Sequence, residues 1–198
     1  MNPPALIRPL RSVSAAVIIA LTFSGCGDKP AADAGKSPSG DAAATPAAAP
    51  AGPPGTEAGA KELLSALLKA GTDTKALTAA LKPDQADYEA VFTGDFAAKV
   101  AAAHAPLWES KPAIGPKEGQ TELMLNGVSS TDLKAWAKNA SDNLPGGYEK
   151  IKDNFKDGLT VYAFKFVKPG EDTGMAFDGL VHVNGKWRIF PKPFRAAD

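Results

Sequence analysis

The spacing of apolar residues changes twice along this chain, and each change marks a different kind of segment. After one apolar run at residues 12–24 (SVSAAVIIALTFS), residues 27–59 contain no Leu, Ile, Val or aromatic residue. Helical periodicity follows. Thr56 can cap a helix with Glu57 in its first turn, and Leu63, Leu64, Leu67 and Leu68 form one stripe that stops before Gly71. Asp73 or Thr74 opens a short helix through Leu77 and Leu81, ended by Pro83. Tyr88, Val91 and Phe92 predict a further turn or two. Asp95 starts a longer helix with Phe96, Val100, Ala103 and Leu107 on one face, kinked or ended by Pro106, and Trp108 follows.

Residues 111–119 are rich in Pro, Gly and Lys and read as a loop, and 120–126 (QTELMLN) alternate weakly, as a strand does. Ser129, Ser130 or Thr131 can cap a helix carrying Leu133 and Trp136. Residues 144–147 (LPGG) form a break, after which Tyr148, Ile151 and Phe155 fall at helical spacing. The period then drops to two. Residues 159–167 (LTVYAFKFV) and 175–183 (MAFDGLVHV) read as strands, Asn184-Gly185 is a strong hairpin signal, and 186–190 (KWRIF) complete a three-stranded antiparallel meander ended by Pro191 and Pro193. The fold class is α+β, with helices preceding the meander.

A two-residue turn sets Val183 opposite Lys186, His182 opposite Trp187, Val181 opposite Arg188 and Leu180 opposite Ile189. One face then carries Ala176, Asp178, Leu180, His182, Trp187 and Ile189, and the other Met175, Phe177, Val181, Val183, Arg188 and Phe190. Both faces bear apolar bulk, so one is expected under helices and the other curled into a partly apolar concavity. Helices followed by a curled sheet ending in VNGKWRIF resemble the cone-shaped NTF2-like fold over about the last forty residues, with fewer strands before residue 159 than that family has. The resemblance implies a concave pocket, but that fold hosts enzymes, binding modules and assembly factors alike.

Composition sharpens the segmentation. Residues 26–59, built largely of Ala, Pro, Gly, Ser, Asp and Lys, cannot bury enough apolar surface to offset ordering, and six prolines from Pro30 to Pro54 break any helix. They read as a tether with a root-mean-square span of about 30 Å and a full polyproline reach of roughly 100 Å. Residues 60–198 remain as a single domain of ordinary size. The 22 basic and 22 acidic residues cancel, which leaves no electrostatic footprint for nucleic acid.

The single cysteine, Cys26, closes the run LTFSGC at positions 21–26. Arg8 and Arg11 precede the apolar run, no acidic residue comes before Asp28, and the run is shorter than the roughly 20 residues a spanning helix needs. This arrangement resembles the signal peptide and lipobox of bacterial lipoproteins, with Phe23 where that family most often has leucine. The resemblance implies removal of residues 1–25, a diacylglycerol on the Cys26 sulfur, and two or three acyl chains such as palmitate. Each methylene buried in the bilayer contributes about 0.8 kcal/mol, so such an anchor is effectively permanent. Gly27, where aspartate would favour inner-membrane retention, implies outer-membrane delivery with the domain in the periplasm. An acylated Cys26 leaves no thiol for a disulfide, a metal or catalysis.

Candidate chemistry is sparse. Of the two histidines, His104 falls one position off its helix's apolar face, at a boundary or in solvent. His182, beside Trp187, is the candidate pocket acid or base. Asp178 lies about 13 Å along the strand and cannot hydrogen-bond it directly. A pocket lined by Asp178, Leu180, His182, Trp187 and Ile189 is the expected ligand site. Neither a metal site nor a cofactor is expected: the histidines are far apart, and no EF-hand spacing, phosphate loop or Gly-x-Ser-x-Gly elbow occurs. Lys186, Arg188, Lys192 and Arg195 make a basic, solvated end. The leading reading is a lipid-anchored envelope protein whose domain binds a partner or small ligand without catalysis. An NTF2-like hydrolase or isomerase using His182, and a structural or assembly factor, are the alternatives.

Overall fold

A computed structural model of the chain describes residues 55–197. The apolar run, Cys26 and nearly all of the tether lie outside the described residues. Four helices come first: α1 (Glu57–Ala66), α2 (Thr74–Ala80), α3 (Gln85–Val91) and α4 (Phe96–Glu109). Strand β1 (Glu122–Ser129) follows, then α5 (Ser130–Ala135), α6 (Lys138–Asn143) and a 3₁₀ segment, Gly146–Asn154. Strands β2 (Thr160–Val167), β3 (Gly174–Val183) and β4 (Lys186–Ile189) precede a closing 3₁₀ turn, Pro193–Ala197. The helix starts follow the capping chemistry: Thr56 accepts from the Gly59 amide, Asp73 from that of Ala76, and Asp84 and Asp87 form a reciprocal capping box. Helix α1 takes in residues 57–59, which composition alone assigned to the tether.

The protein is α+β, with one open antiparallel sheet in the order β1-β2-β3-β4. The meander thus gains a fourth strand. The weakly alternating segment forms β1, shifted to 122–129, and pairs with β2 from Glu122↔Val167 to Ser129↔Thr160. In the β3–β4 hairpin the pairs Val183↔Lys186, His182↔Trp187, Val181↔Arg188 and Leu180↔Ile189 are those the Asn-Gly turn predicts.

Helices cover both faces of the sheet, so the expected open concavity is filled. Tyr162, Phe164, Phe166, Leu180 and Ile189 pack with Ala60 and Leu64 of α1, its C-cap Leu67, Leu81 and Trp108. Val128, Val161, Ala163, Val181 and Val183 pack on the other side with α3, α4, α5, α6 and the first 3₁₀ segment. Large aromatics on one face and smaller aliphatics on the other each meet their own helix layer.

Helix α4 departs from expectation in two ways. It runs through Pro106 to Glu109, and its buried positions are Phe96, Ala97, Val100, His104 and Trp108, while Ala103 is exposed. The buried stripe steps by four rather than drifting with the 3.6 period. His104, expected at a boundary, is only 4% exposed. Its two ring nitrogens find hydrogen-bond partners inside, and these satisfy the buried ring.

The strand alternation also breaks. Pairing slips by one residue between Tyr162 and Phe164, so Asp178 and Gly179 together face Ala163 across a β-bulge. Gly179 has φ +84°, and a Cβ there would sit 2.1 Å from the Phe190 carbonyl oxygen. Only glycine fits. Beyond the bulge the faces exchange: Phe177 joins the aromatic layer with Phe164 and Leu180, and Asp178 turns to the opposite layer.

Candidate functional site

The deepest polar groups are tied into structural bonds. Asp87 of α3 receives Arg188 Nε at 2.6 Å, Asn184 Nδ2 at 2.9 Å and the Asp84 amide at 3.1 Å. Burial pushes its carboxyl up, and these three donors outweigh burial, so it stays below the usual carboxylate range. Asp178 accepts the Tyr148 hydroxyl at 2.8 Å and the Lys192 amide at 2.9 Å. Burial, then the Asp178 charge, holds the Tyr148 phenol far above its ordinary range.

His104 bridges two elements. Its Nε2–H donates to the Pro191 carbonyl at 2.9 Å, which fixes Nδ1 as the acceptor for the Tyr88 hydroxyl at 3.1 Å. Burial pushes the imidazole down to about 4, against the opposing pull of the Pro191 carbonyl. The Tyr88 phenol is pushed up to about 12, first by burial and then by the Asp87 charge. The Trp108 indole approaches Tyr88 closely enough to oppose that rise, yet its N–H makes no hydrogen bond of ordinary geometry.

A cleft of about 270 Å³ opens on the aliphatic face, where Leu144 and Pro145 end the cover that α6 provides. Asn126 of β1, Lys165 of β2 and Asp178 of β3 line its sheet side, and Asp142 and Asn143 its helical wall. Ala163 opposite Asn126 and Ala176 opposite Lys165 keep the floor low. The walls are held in place. Asn139 Nδ2 donates to the Gly127 carbonyl at 3.2 Å, fixing α6 on β1, and Asn143 Nδ2 donates to the Asn139 carbonyl at 2.8 Å. Asp142 pairs with Lys138. Lys165 is exposed and makes no ion pair among the described residues. The cleft therefore offers one free ammonium beside two amides, an arrangement suited to an anionic group flanked by hydroxyls.

The expected pocket residues are divided. Leu180, His182, Trp187 and Ile189 share a face, but Leu180 and Ile189 are fully buried beneath α1 rather than lining a cavity. Asp178 lies on the other face because of the bulge. His182 is half-buried, with the Trp187 ring 5.1 Å away and Gly55 packed against its imidazole, and it does not line the cleft. Cys26 lies outside the described residues. Asn126, Asp142, Asn143 and Lys165 were not singled out from sequence, although Lys165 is the only charge within the apolar run 159–167. Among the described residues no group of His, Cys, Asp and Glu could hold a metal ion, and no helix is long and apolar enough to cross a membrane.

Comparison with protein-family models, with curated proteins and with solved structures finds no match to this chain.

Proposed function

We propose that the protein is a lipid-anchored component of a bacterial envelope, held through Cys26 at the outer membrane and presenting this domain to the periplasm as a binding module. The observation that carries the binding reading is the Lys165 cleft: among the described residues its ammonium is unpaired, while the buried Asp87, Asp178, Tyr148 and His104 are each committed to a structural bond. The expected occupant is a small hydroxylated carboxylate, its anion on Lys165 and its hydroxyls on the Asn126 amide and the Asn143 side-chain oxygen. This reading is favoured over an enzyme built on His182, whose ring is packed against Gly55 and Trp187.

Two experiments test it. Cells expressing Cys26→Ser are labelled with palmitate and fractionated; loss of label and of membrane retention is expected, and their persistence would sink the anchor. Gluconate is titrated into the isotopically labelled protein while the Lys165, Asn126 and Asn143 resonances are followed. Saturable shifts lost in Lys165→Ala are expected, and shifts unchanged by that substitution would remove the cleft from the reading.

A further inference from the structure

A second recess lies on the opposite side of α2 from its core-packed residues. Lys75, Ala76, Ala79 and Lys82 recur at the spacing of one helical face, while Thr78 and Leu81 of the other face are buried. That outer face looks onto Trp108 at the end of α4 and onto Lys111 and Pro112 just beyond it, enclosing a groove of about 390 Å³. The volume falls within the roughly 300–1,000 Å³ of ligand pockets. Its surface is mainly carbon, from the two alanines, Trp108 and Pro112, and its rim is cationic.

The charges are unbalanced. Lys75, Lys82 and Lys111 are exposed and form no ion pair among the described residues. The single acidic lining residue, Asp73, is already committed to capping α2 through the Ala76 amide at 3.0 Å. Lys111 also occupies a backbone position that glycine would fill without strain, at φ 51°. A lysine held there in the left-handed region places a third ammonium at the mouth of an apolar recess.

We propose that this groove binds a monomeric anionic amphiphile, its single apolar chain on Ala76, Ala79 and Trp108 and its carboxylate among Lys75, Lys82 and Lys111. Such a ligand satisfies both the carbon floor and the unpaired rim. A neutral chain leaves the lysines unused, and a cationic one is repelled. The site is separate from the Lys165 cleft, so it stands or falls independently of it.

The test follows the Trp108 indole N–H resonance, assigned through Trp108→Phe, in the full chain carrying Cys26→Ser. Decanoate below its micellar concentration is expected to move that signal saturably, with affinity falling as salt rises. Decyltrimethylammonium should leave it in place. Lys75→Glu/Lys82→Glu/Lys111→Glu, all at exposed positions, should weaken decanoate by tenfold or more. Lys111→Gly, which relieves the strained backbone, should weaken binding about threefold, as expected for one exposed ion pair, while melting no lower than the parent. The proposal is overturned by an absence of saturable shift, by an equal response to the cationic chain, or by unchanged binding in the triple variant. A shift produced only by phosphatidylglycerol vesicles would overturn it equally, since the groove would then belong to a membrane surface.

Discussion

The two faces of the sheet are stabilised by different physics. Under α1 the contact is almost wholly carbon: Leu64, Leu180, Phe166 and Ile189 are fully buried, and no buried charged group among the described residues accompanies them. Under α3–α6 the core is equally tight but is threaded by three polar links, Asp87–Arg188, Tyr148–Asp178 and Tyr88–His104. The carbon face is held by area, which is tolerant of direction. The threaded face is held by bonds that fail if the geometry shifts, so it fixes which helix sits where. The lesson is that the two layers answer to different perturbations.

The largest expected effect comes from the threaded face. Asp87→Ala leaves Arg188, with a side chain only 12% exposed, without its carboxylate and removes the α3 capping box. A loss of about 3–5 kcal/mol is expected in urea denaturation, as for other broken buried pairs. A loss below about 1 kcal/mol would class the pair with surface bridges and erase the contrast. On the carbon face, Leu64→Ala should cost about 2–5 kcal/mol through a cavity under α1, and this loss should not vary between pH 7 and acid conditions.

Acid separates the faces further. His104 titrates near 4 when folded against 6.5 ordinarily, so the unfolded chain takes up a proton in this window that the folded chain refuses. The His104 contribution is therefore constant above 6.5 and falls by about 3 kcal/mol on the way down to about 4. His104→Gln should flatten that limb, and a parent protein showing no decline across it would contradict the buried neutral ring. The Asp87 contribution, lowered when folded, is present above the ordinary carboxylate value of 3.8 and disappears only below it. The smallest effect is Thr56→Ala, about 1 kcal/mol through the α1 cap. Hydrogen exchange should locate it in α1, with α3 and α4 unchanged; equal acceleration in all three would show that the layers do not respond separately.

What could be read from the sequence was local. The Asn184-Gly185 turn fixed four cross-strand pairs because a two-residue hairpin admits little choice. The caps at Thr56 and Asp73 were similarly set by their own neighbours, whereas the Asp84 cap of α3 was not singled out. Long-range geometry was hidden. The Arg188–Asp87 bond joins residues 101 apart, and nothing near either residue announces the other. The buried stripe of α4 was misread because His104 looks polar until Tyr88 and Pro191 are placed around it. The bulge had one visible sign, an isolated glycine inside an apolar strand, and reading it would have moved Asp178 to the correct face. The cleft likewise had one sign, the lone Lys165 within the apolar run 159–167.

The order of elements along the chain also governs when this domain can become compact. The central strands β2 and β3, on which both helix layers rest, lie at Thr160–Val167 and Gly174–Val183, after every long helix. A nascent chain that has reached α4 or α6 lacks the central strands on which both helix layers rest, since domains fold as units and this platform is complete only once β3 and β4 have emerged. The chain thus remains threadable through nearly all of its synthesis.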